Sequence, residues 1–165
     1  MRSFNLLRKL KQIKLLFLDV DGVLTDGGIW VDQEGREYAR FDIQDGKGIV
    51  RAQEAGIVIA FVTAKQLAAT QRRAEGLGVK EIWLGVKDKA EIFETLRKRY
   101  GLKSEDVAAV GDDLQDLPAM ERAGLAVAVA NARPEVKGVA HYITKARGGE
   151  GAIRELVELI LEAKR

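Results

Sequence analysis

Polar residues with related chemistry stand at the ends of four apolar runs. The run from Lys14 to Val20 contains Asp19 and leads into Asp21-Gly22 and Thr25-Asp26. A second, Ile57 to Val62, stops at Thr63. The turn after a third, Glu81 to Leu84, carries Asp88-Lys89. A fourth, Val107 to Val110, stops at Gly111-Asp112-Asp113, with Asp116 one helical turn further on. Carboxylates gathered in one crevice repel one another unless a cation joins them. An all-oxygen donor set suits Mg²⁺, which keeps waters and accepts substrate phosphate as a ligand. Thr63 and Lys89 then read as a hydroxyl and a positive charge aimed at phosphate oxygens. A carboxylate can itself be a nucleophile toward phosphorus, with metal and lysine offsetting its repulsion from a phosphate dianion. Each fragment alone is weak; their order on successive runs is specific.

The elements that must position these residues follow from the patterning. The four runs, with a fifth at Leu125–Val129, are short and continuously apolar, as strands of a doubly covered parallel sheet are. Helical patterns lie between them, at Gly46–Ala55, Lys65–Glu75, Lys89–Tyr100 and Asp113–Ala123, and Gly56, Gly76, Gly101 and Gly124 stand just past their ends as expected left-handed caps. The segment Gly151–Lys164 places Ile153, Leu156, Val157, Ile160 and Leu161 on one helical face. This alternation predicts an α/β fold, a Rossmann-like open parallel sheet with helices on both faces. Ligands of such sheets bind beyond the carboxyl ends of the strands, where the polar residues fall. One piece breaks the alternation: Gly28–Phe41 reads as an inserted β-hairpin turning at Asp32–Gly35. No linker or internal repeat interrupts the chain, which reads as a single domain over 1–165.

Composition bounds the remaining possibilities. The chain has 165 residues, 47% hydrophobic and 32% charged, with 27 basic against 25 acidic side chains. A net charge of +2 gives no support to a nucleic-acid or membrane-surface partner. Cysteine is absent and His141 is the only histidine, which excludes disulfides, thiolate metal sites and cysteine nucleophiles. The basic stretch Met1–Lys14 has no long apolar core or small-residue cleavage site, so it reads as a short helix and not a leader; the cytoplasm is the expected compartment. His141 and Trp83 read as packing residues, and Glu94–Arg99 as a solvated helix face.

The segments Asp19–Gly27, Thr63, Lys89 and Gly111–Pro118 resemble, in order, the four motifs of the haloacid dehalogenase superfamily of phosphatases. Asp45-Gly-Lys-Gly48, Gly111–Pro118 and Gly148–Glu155 resemble signatures of the 3-deoxy-D-manno-octulosonate 8-phosphate phosphatase family. The resemblance implies a phosphoric monoester hydrolase acting on a small sugar phosphate in lipopolysaccharide biosynthesis. It implies Asp19 as nucleophile and Asp21 as acid and base. Mg²⁺ would be held by Asp19, the carbonyl of Asp21 and Asp112, with Asp113 and Asp116 in support. Thr63 and Lys89 would bind phosphate, and Asp45, Gly46 and Lys65 would contact substrate. Two stretches depart from the family pattern: Thr63-Ala64-Lys65 has alanine where glycine is usual, and Asn131-Ala-Arg-Pro134 replaces a frequent Asp-Ala-His-Pro.

Neither the stretch between Asp21 and Thr63 nor that between Thr63 and Lys89 is long enough for the cap domain many relatives carry, so the chain reads as capless. An open site admits water and weakens electrostatic stabilisation. The hairpin's Ile29, Trp30, Val31, Tyr38 and Phe41 are more apolar surface than a lone hairpin buries, and the resemblance implies a homotetramer built through it. The glycine-rich Lys145–Gly151 reads either as a connector or, by resemblance, as a segment reaching a neighbour's site. Three alternatives accompany this reading: a phosphatase for a nonulosonate 9-phosphate, a phosphoacceptor switch domain, and a non-catalytic oligomeric module. An acidic pair placed after the lysine, instead of before the threonine, favours the enzyme over the switch.

Overall fold

The computed structural model describes residues 2–165; Met1, the first residue of the expected N-terminal helix, lies outside them. That helix, α1, spans Arg2–Gln12 and turns Leu10 inward. The five apolar runs form β1 (Leu15–Leu18), β4 (Val58–Val62), β5 (Glu81–Trp83), β6 (Val107–Gly111) and β7 (Leu125–Ala128). They lie parallel in the order β5-β4-β1-β6-β7, extended by the short β8 (Tyr142–Ile143). β1 and β6 occupy the middle and are buried at every position. Their register pairs Leu18 with Val110, so Asp19 and Gly111 leave the sheet side by side.

Helices cover both faces: α2 (Ile43–Glu54), α3 (Ala68–Gly76), α4 (Lys89–Arg99), the single turn α5 (Leu117–Met120), α6 (Pro134–Val139) and α7 (Ala152–Ala163). The buried apolar residues form one continuous cluster. α7 contributes Ile153, Leu156, Val157 and Ile160 to it, each fully buried. Burying one such side chain contributes about 1.5–3 kcal/mol, far more than helix propensity.

Several expected boundaries shift for identifiable reasons. The helix expected at Lys65–Glu75 starts at Ala68, because Lys65 is still in the loop where its backbone N–H donates to Thr63 Oγ1 at 3.1 Å. The helix expected at Asp113–Ala123 is replaced by a 3-10 turn, Leu114–Asp116, capped by Asp113, and then α5. Gly56 and Gly101 adopt the expected positive φ, whereas Gly76 does not; Gly78 does so instead. Gly124 is needed for a different reason. A Cβ there would lie 2.4 Å from the Glu105 Cα. α6 and β8 were not anticipated. Six and two residues are too short for either period to register.

The insert is a minimal hairpin of β2 (Trp30–Val31) and β3 (Glu37–Tyr38), closed by an Asp32 N–H bond to the Arg36 carbonyl and a Gly35 N–H bond to Asp32. Phe41 packs on the core, while Ile29, Trp30, Val31 and Tyr38 are exposed.

Candidate active site

Asp19 sits one residue beyond β1 and is 1% exposed. Gly22, at φ 85°, turns the chain after Asp21. A Cβ on Gly22 would come within 2.0 Å of Asp112 Oδ2, so only glycine lets this loop close against the end of β6. Gly111 is constrained likewise, because its Cβ would strike the Asp116 side chain. Thr25 Oγ1 accepts from the Gly22 and Gly27 amides at 3.1 and 3.2 Å and holds the loop's shape.

Lys89 reaches this group from the first turn of α4, which Asp88 caps. Its side chain is 3% exposed, and its Nζ lies 2.5 Å from Asp19 Oδ1 and 2.6 Å from Asp116 Oδ1. The other Asp116 oxygen accepts from the Asp112 and Asp113 amides at 2.9 and 3.2 Å. Asp116 is thus fully occupied as a tie between the lysine and the loop after β6. Asp19 Oδ2 and Asp112 Oδ1 are buried and have no hydrogen-bond partner. One carboxylate oxygen from each of Asp19, Asp112 and Asp116 lies within 4.8 Å of the others.

The electrostatics follow from this geometry. Burial, then the Asp116 charge, pushes Asp19 well above the usual carboxylate range. Burial and neighbouring carboxylates raise Asp112 to about 6. Burial works against a charged Lys89, yet Asp19 and Asp116 hold it above its ordinary value. Three carboxylates facing one lysine leave excess negative charge and two orphaned oxygens. A hard divalent cation fits that donor set.

Beside the cluster, Thr63 Oγ1 donates to Asp21 Oδ2 at 3.1 Å. Asp21, Thr63 and Lys65 line a cleft of about 400 Å³ with Gly27, Ile29, Ala64 and Gln115. Lys65 forms a 2.5 Å ion pair with Glu37 of β3, which brings the hairpin to the cleft mouth. Asp113 is exposed, and its carboxylate caps the following turn.

Asp45 and Gly46 are not gathered here. Buried Asp45 accepts from the amides of Gly151, Ile153 and Arg154 at 3.4, 3.0 and 2.9 Å, serving as the N-terminal cap of α7. α7 needs a cap from elsewhere because its own N-cap residue is Gly151. Gly46 lines a separate groove of about 490 Å³ with Ile43, Arg73 and Leu77. The glycine-rich segment does not reach outward. Gly149 donates to the Val23 carbonyl at 3.1 Å, on this chain's own Asp21–Asp26 loop.

Gln115 and Glu37 carry no individual signal in the sequence analysis, and Ile29 is read there only as apolar hairpin surface. Gln115 lies inside the Gly111–Pro118 motif and was within reach. Glu37 gave no signal, because a lone glutamate on a hairpin strand is ordinary.

A capless parallel sheet carrying this carboxylate–lysine cluster at its central strand ends defines a haloacid dehalogenase-like hydrolase, and the family model of that description matches residues 81–156. The Escherichia coli (strain K12) 3-deoxy-D-manno-octulosonate 8-phosphate phosphatase is 40% identical over 98% of this chain and 86% of its own length. The solved structure of the Yersinia pestis phosphatase of the same name is 38% identical, with TM-score 0.95 over 97% of this chain and 86% of that one. The Moraxella catarrhalis phosphatase of that name, solved in complex with a magnesium ion, a phosphate ion and a KDO molecule, is 40% identical, with TM-score 0.94 over 99% of this chain and 93% of that one. The chain belongs to the 3-deoxy-D-manno-octulosonate 8-phosphate phosphatase family.

Proposed function

We propose that this chain is a Mg²⁺-dependent phosphatase that hydrolyses the phosphate monoester of a sugar acid, 3-deoxy-D-manno-octulosonate 8-phosphate, through an aspartyl-phosphate. One observation carries the reading: buried Asp19, fixed by Lys89 through one oxygen, keeps its other oxygen unpartnered, Asp112 has a buried unpartnered oxygen too, and the two carboxylates approach within 4.8 Å. Asp19, Asp112 and the backbone carbonyl of Asp21 would hold the metal. When bound, Mg²⁺ keeps Asp19 and Asp112 ionised and offsets the charge of the phosphoryl group.

The residues then divide the work. A carboxylate oxygen of Asp19 attacks phosphorus, and the bond to the sugar oxygen breaks. Asp21, at the cleft wall, gives its proton to that oxygen, so the sugar leaves as an alcohol. The Asp21 carboxylate next takes a proton from water, which attacks the same phosphorus. Inorganic phosphate leaves and the Asp19 carboxylate is restored. Lys89 and Thr63 hold the phosphoryl oxygens, Thr63 turning to them the hydroxyl that donates to Asp21 in the free chain. Lys65, once released from Glu37, offers a cation to the sugar-acid carboxylate.

The apolar surface of Ile29, Trp30, Val31 and Tyr38 supports assembly of a homotetramer that closes the open cleft. No helix among the described residues is long and apolar enough to cross a membrane, and the reading places the enzyme in the cytoplasm.

Phosphate release from 3-deoxy-D-manno-octulosonate 8-phosphate, a nonulosonate 9-phosphate and an aryl phosphate, each with and without Mg²⁺, tests the reading. The eight-carbon ester is expected to give the highest kcat/KM, with no turnover in chelator or in Asp19→Asn. Turnover by Asp19→Asn sinks the nucleophile. Equal kcat/KM for all three esters sinks the substrate. A light-scattering mass of one chain sinks the tetramer.

A further inference from the structure

The loop after β7 does more than connect elements. The Asn131 side chain donates to the Gly22 carbonyl at 3.0 Å and accepts from the Gly148 amide at 2.6 Å. Two residues on, the Arg133 amide donates to the Asp112 carbonyl at 2.8 Å. One short loop therefore grips the residue after Asp21 with a side chain and Asp112 with its backbone. These are the two sides of the cluster with unpartnered oxygens. Nothing else among the hydrogen bonds of the described residues ties the Gly22 carbonyl to the rest of the fold.

The glycine-rich segment is the outer half of the same clamp. Gly148 and Gly149 press so closely that added Cβ atoms would lie 1.8 Å from the Gly22 carbonyl oxygen and 2.5 Å from the Asp26 nitrogen. The segment is anchored at both ends by buried or half-buried carboxylates. Glu155 takes the Lys145 and Ala146 amides and the Tyr142 hydroxyl, and Asp45 takes the amides that open α7. Arg40 adds a 3.3 Å bond to the Gly149 carbonyl.

We propose that Asn131 is a positioning residue: braced by Gly148, it sets the spacing between the Asp21–Gly22 turn and Asp112 and so tunes affinity for the divalent cation. This rests on the metal site of the preceding reading and adds a residue that touches neither metal nor substrate. Groups that orient metal ligands change affinity typically 10–100-fold when removed. The asparagine is suited to the task because its amide supplies a donor and an acceptor on one rigid plane. Alanine removes both.

The test titrates Mn²⁺ into the metal-free protein by calorimetry. Asn131→Ala is expected to raise the Mn²⁺ Kd about tenfold with its far-ultraviolet circular dichroism unchanged. Gly149→Ala, which displaces the segment and leaves Asn131 intact, is expected to raise it in the same direction. Tyr100→Phe removes the 2.8 Å bond to Glu81, at the other end of α4 from Lys89 and outside the clamp, and is expected to keep Kd within twofold. Asp112→Asn reports on the underlying reading and is expected to abolish binding. If Asp112→Asn binds Mn²⁺ normally, the metal site itself is wrong. If Asp112→Asn fails to bind while Asn131→Ala stays within twofold of the parent, only the clamp is overturned. Tyr100→Phe weakening Mn²⁺ as much as Asn131→Ala overturns it too, since general loosening then explains both. Should Asn131→Ala not fold, Gly149→Ala and amide exchange at position 149 decide alone: fast exchange, which shows the segment displaced, with parental Kd overturns the proposal.

Discussion

Replacing Lys89 by methionine isolates the central electrostatic feature. The side chain is 3% exposed and stands between Asp19 and Asp116 at 2.5 and 2.6 Å. Methionine fills much the same volume, so the loss is of charge more than of packing. Removing one partner of a buried ion pair typically costs about 3–5 kcal/mol. Asp19 can escape that cost by taking up a proton. From an ordinary value of 3.8, protonation costs about 1.4 kcal/mol per pH unit, hence about 5 kcal/mol at pH 7.5 and about 2 kcal/mol at pH 5.5. The sign is fixed by linkage. The metal-free parent, whose buried Asp19 is itself raised, holds that proton over part of the same range; without the ammonium the variant holds it to still higher pH, so the variant's extra loss grows as pH rises past the parent's folded value. Urea denaturation in chelator should therefore show Lys89→Met about 3–5 kcal/mol less stable than the parent at pH 7.5. At pH 5.5 the loss should be about 2 kcal/mol or less. For a chain of this length the larger figure lowers Tm by roughly 6–20 °C. A loss below about 1 kcal/mol at pH 7.5 refutes the coupling of Lys89 to the buried carboxylates. Turnover should fall about 10²–10³-fold, since the same ammonium faces the phosphoryl oxygens.

Other expectations follow from neighbouring geometry. Asp112 titrates at about 6 when metal-free, so the folded chain holds an extra proton between 3.8 and about 6 that Mg²⁺ must displace; the Tm gain from saturating Mg²⁺ should be small at pH 5 and larger at pH 7.5, and a pH-independent gain contradicts this. Asp45→Asn weakens three amide contacts at the start of α7 and should cost about 1–3 kcal/mol in urea unfolding. Its KM for the eight-carbon ester should stay within twofold, because Asp45 is occupied by the α7 amides; a parental stability with raised KM would place Asp45 at the substrate instead. Gly22→Ala, whose Cβ would meet Asp112 Oδ2 at 2.0 Å, should abolish Mn²⁺ binding and turnover alike. Trp30→Ser with Tyr38→Ser should release single chains in light scattering, and an unchanged mass removes the hairpin from the interface.

The sheet was legible because β1, β4, β6 and β7 are buried almost throughout and therefore read as unbroken apolar runs, with the short edge strand β5 only partly so. Topology then forces their carboxyl ends onto one edge, so Asp19, Thr63, Lys89 and Asp112 could be expected together before any coordinates. Roles within the edge were less legible. Asp113 and Asp116 look alike in sequence, yet Asp116 is buried against Lys89 while Asp113 is an exposed cap, because a 3-10 turn and not an α-helix follows β6. Asp45 is expected at the substrate through the family resemblance of Asp45–Gly48, while its hydrogen bonds go to the start of α7. A carboxylate serving the amide ends of a helix more than 100 residues away leaves no local pattern. The glycines of Gly148–Gly151 read equally well as a flexible connector, since composition cannot distinguish a loose chain from one packed too tightly for any Cβ.

The same tight packing explains how the fold tolerates its own site. Asp19, Asp112 and Asp116 meet a single lysine, an arrangement that is unfavourable in the metal-free chain. Left to relax, the loops after β1 and β6 would separate and hydrate their carboxylates. They are prevented at several independent points: the β1–β6 register, Thr25 on the Gly22 and Gly27 amides, Asp116 on two amides, and Asn131 with Gly148 on the Gly22 carbonyl. Glycine at 22, 111, 148 and 149 is what permits these contacts, because a Cβ at each would collide. The apolar core, continuous beneath both loops, carries the cost. A cation arriving at this edge then meets ligands already in place, and the repulsion it relieves adds to its affinity.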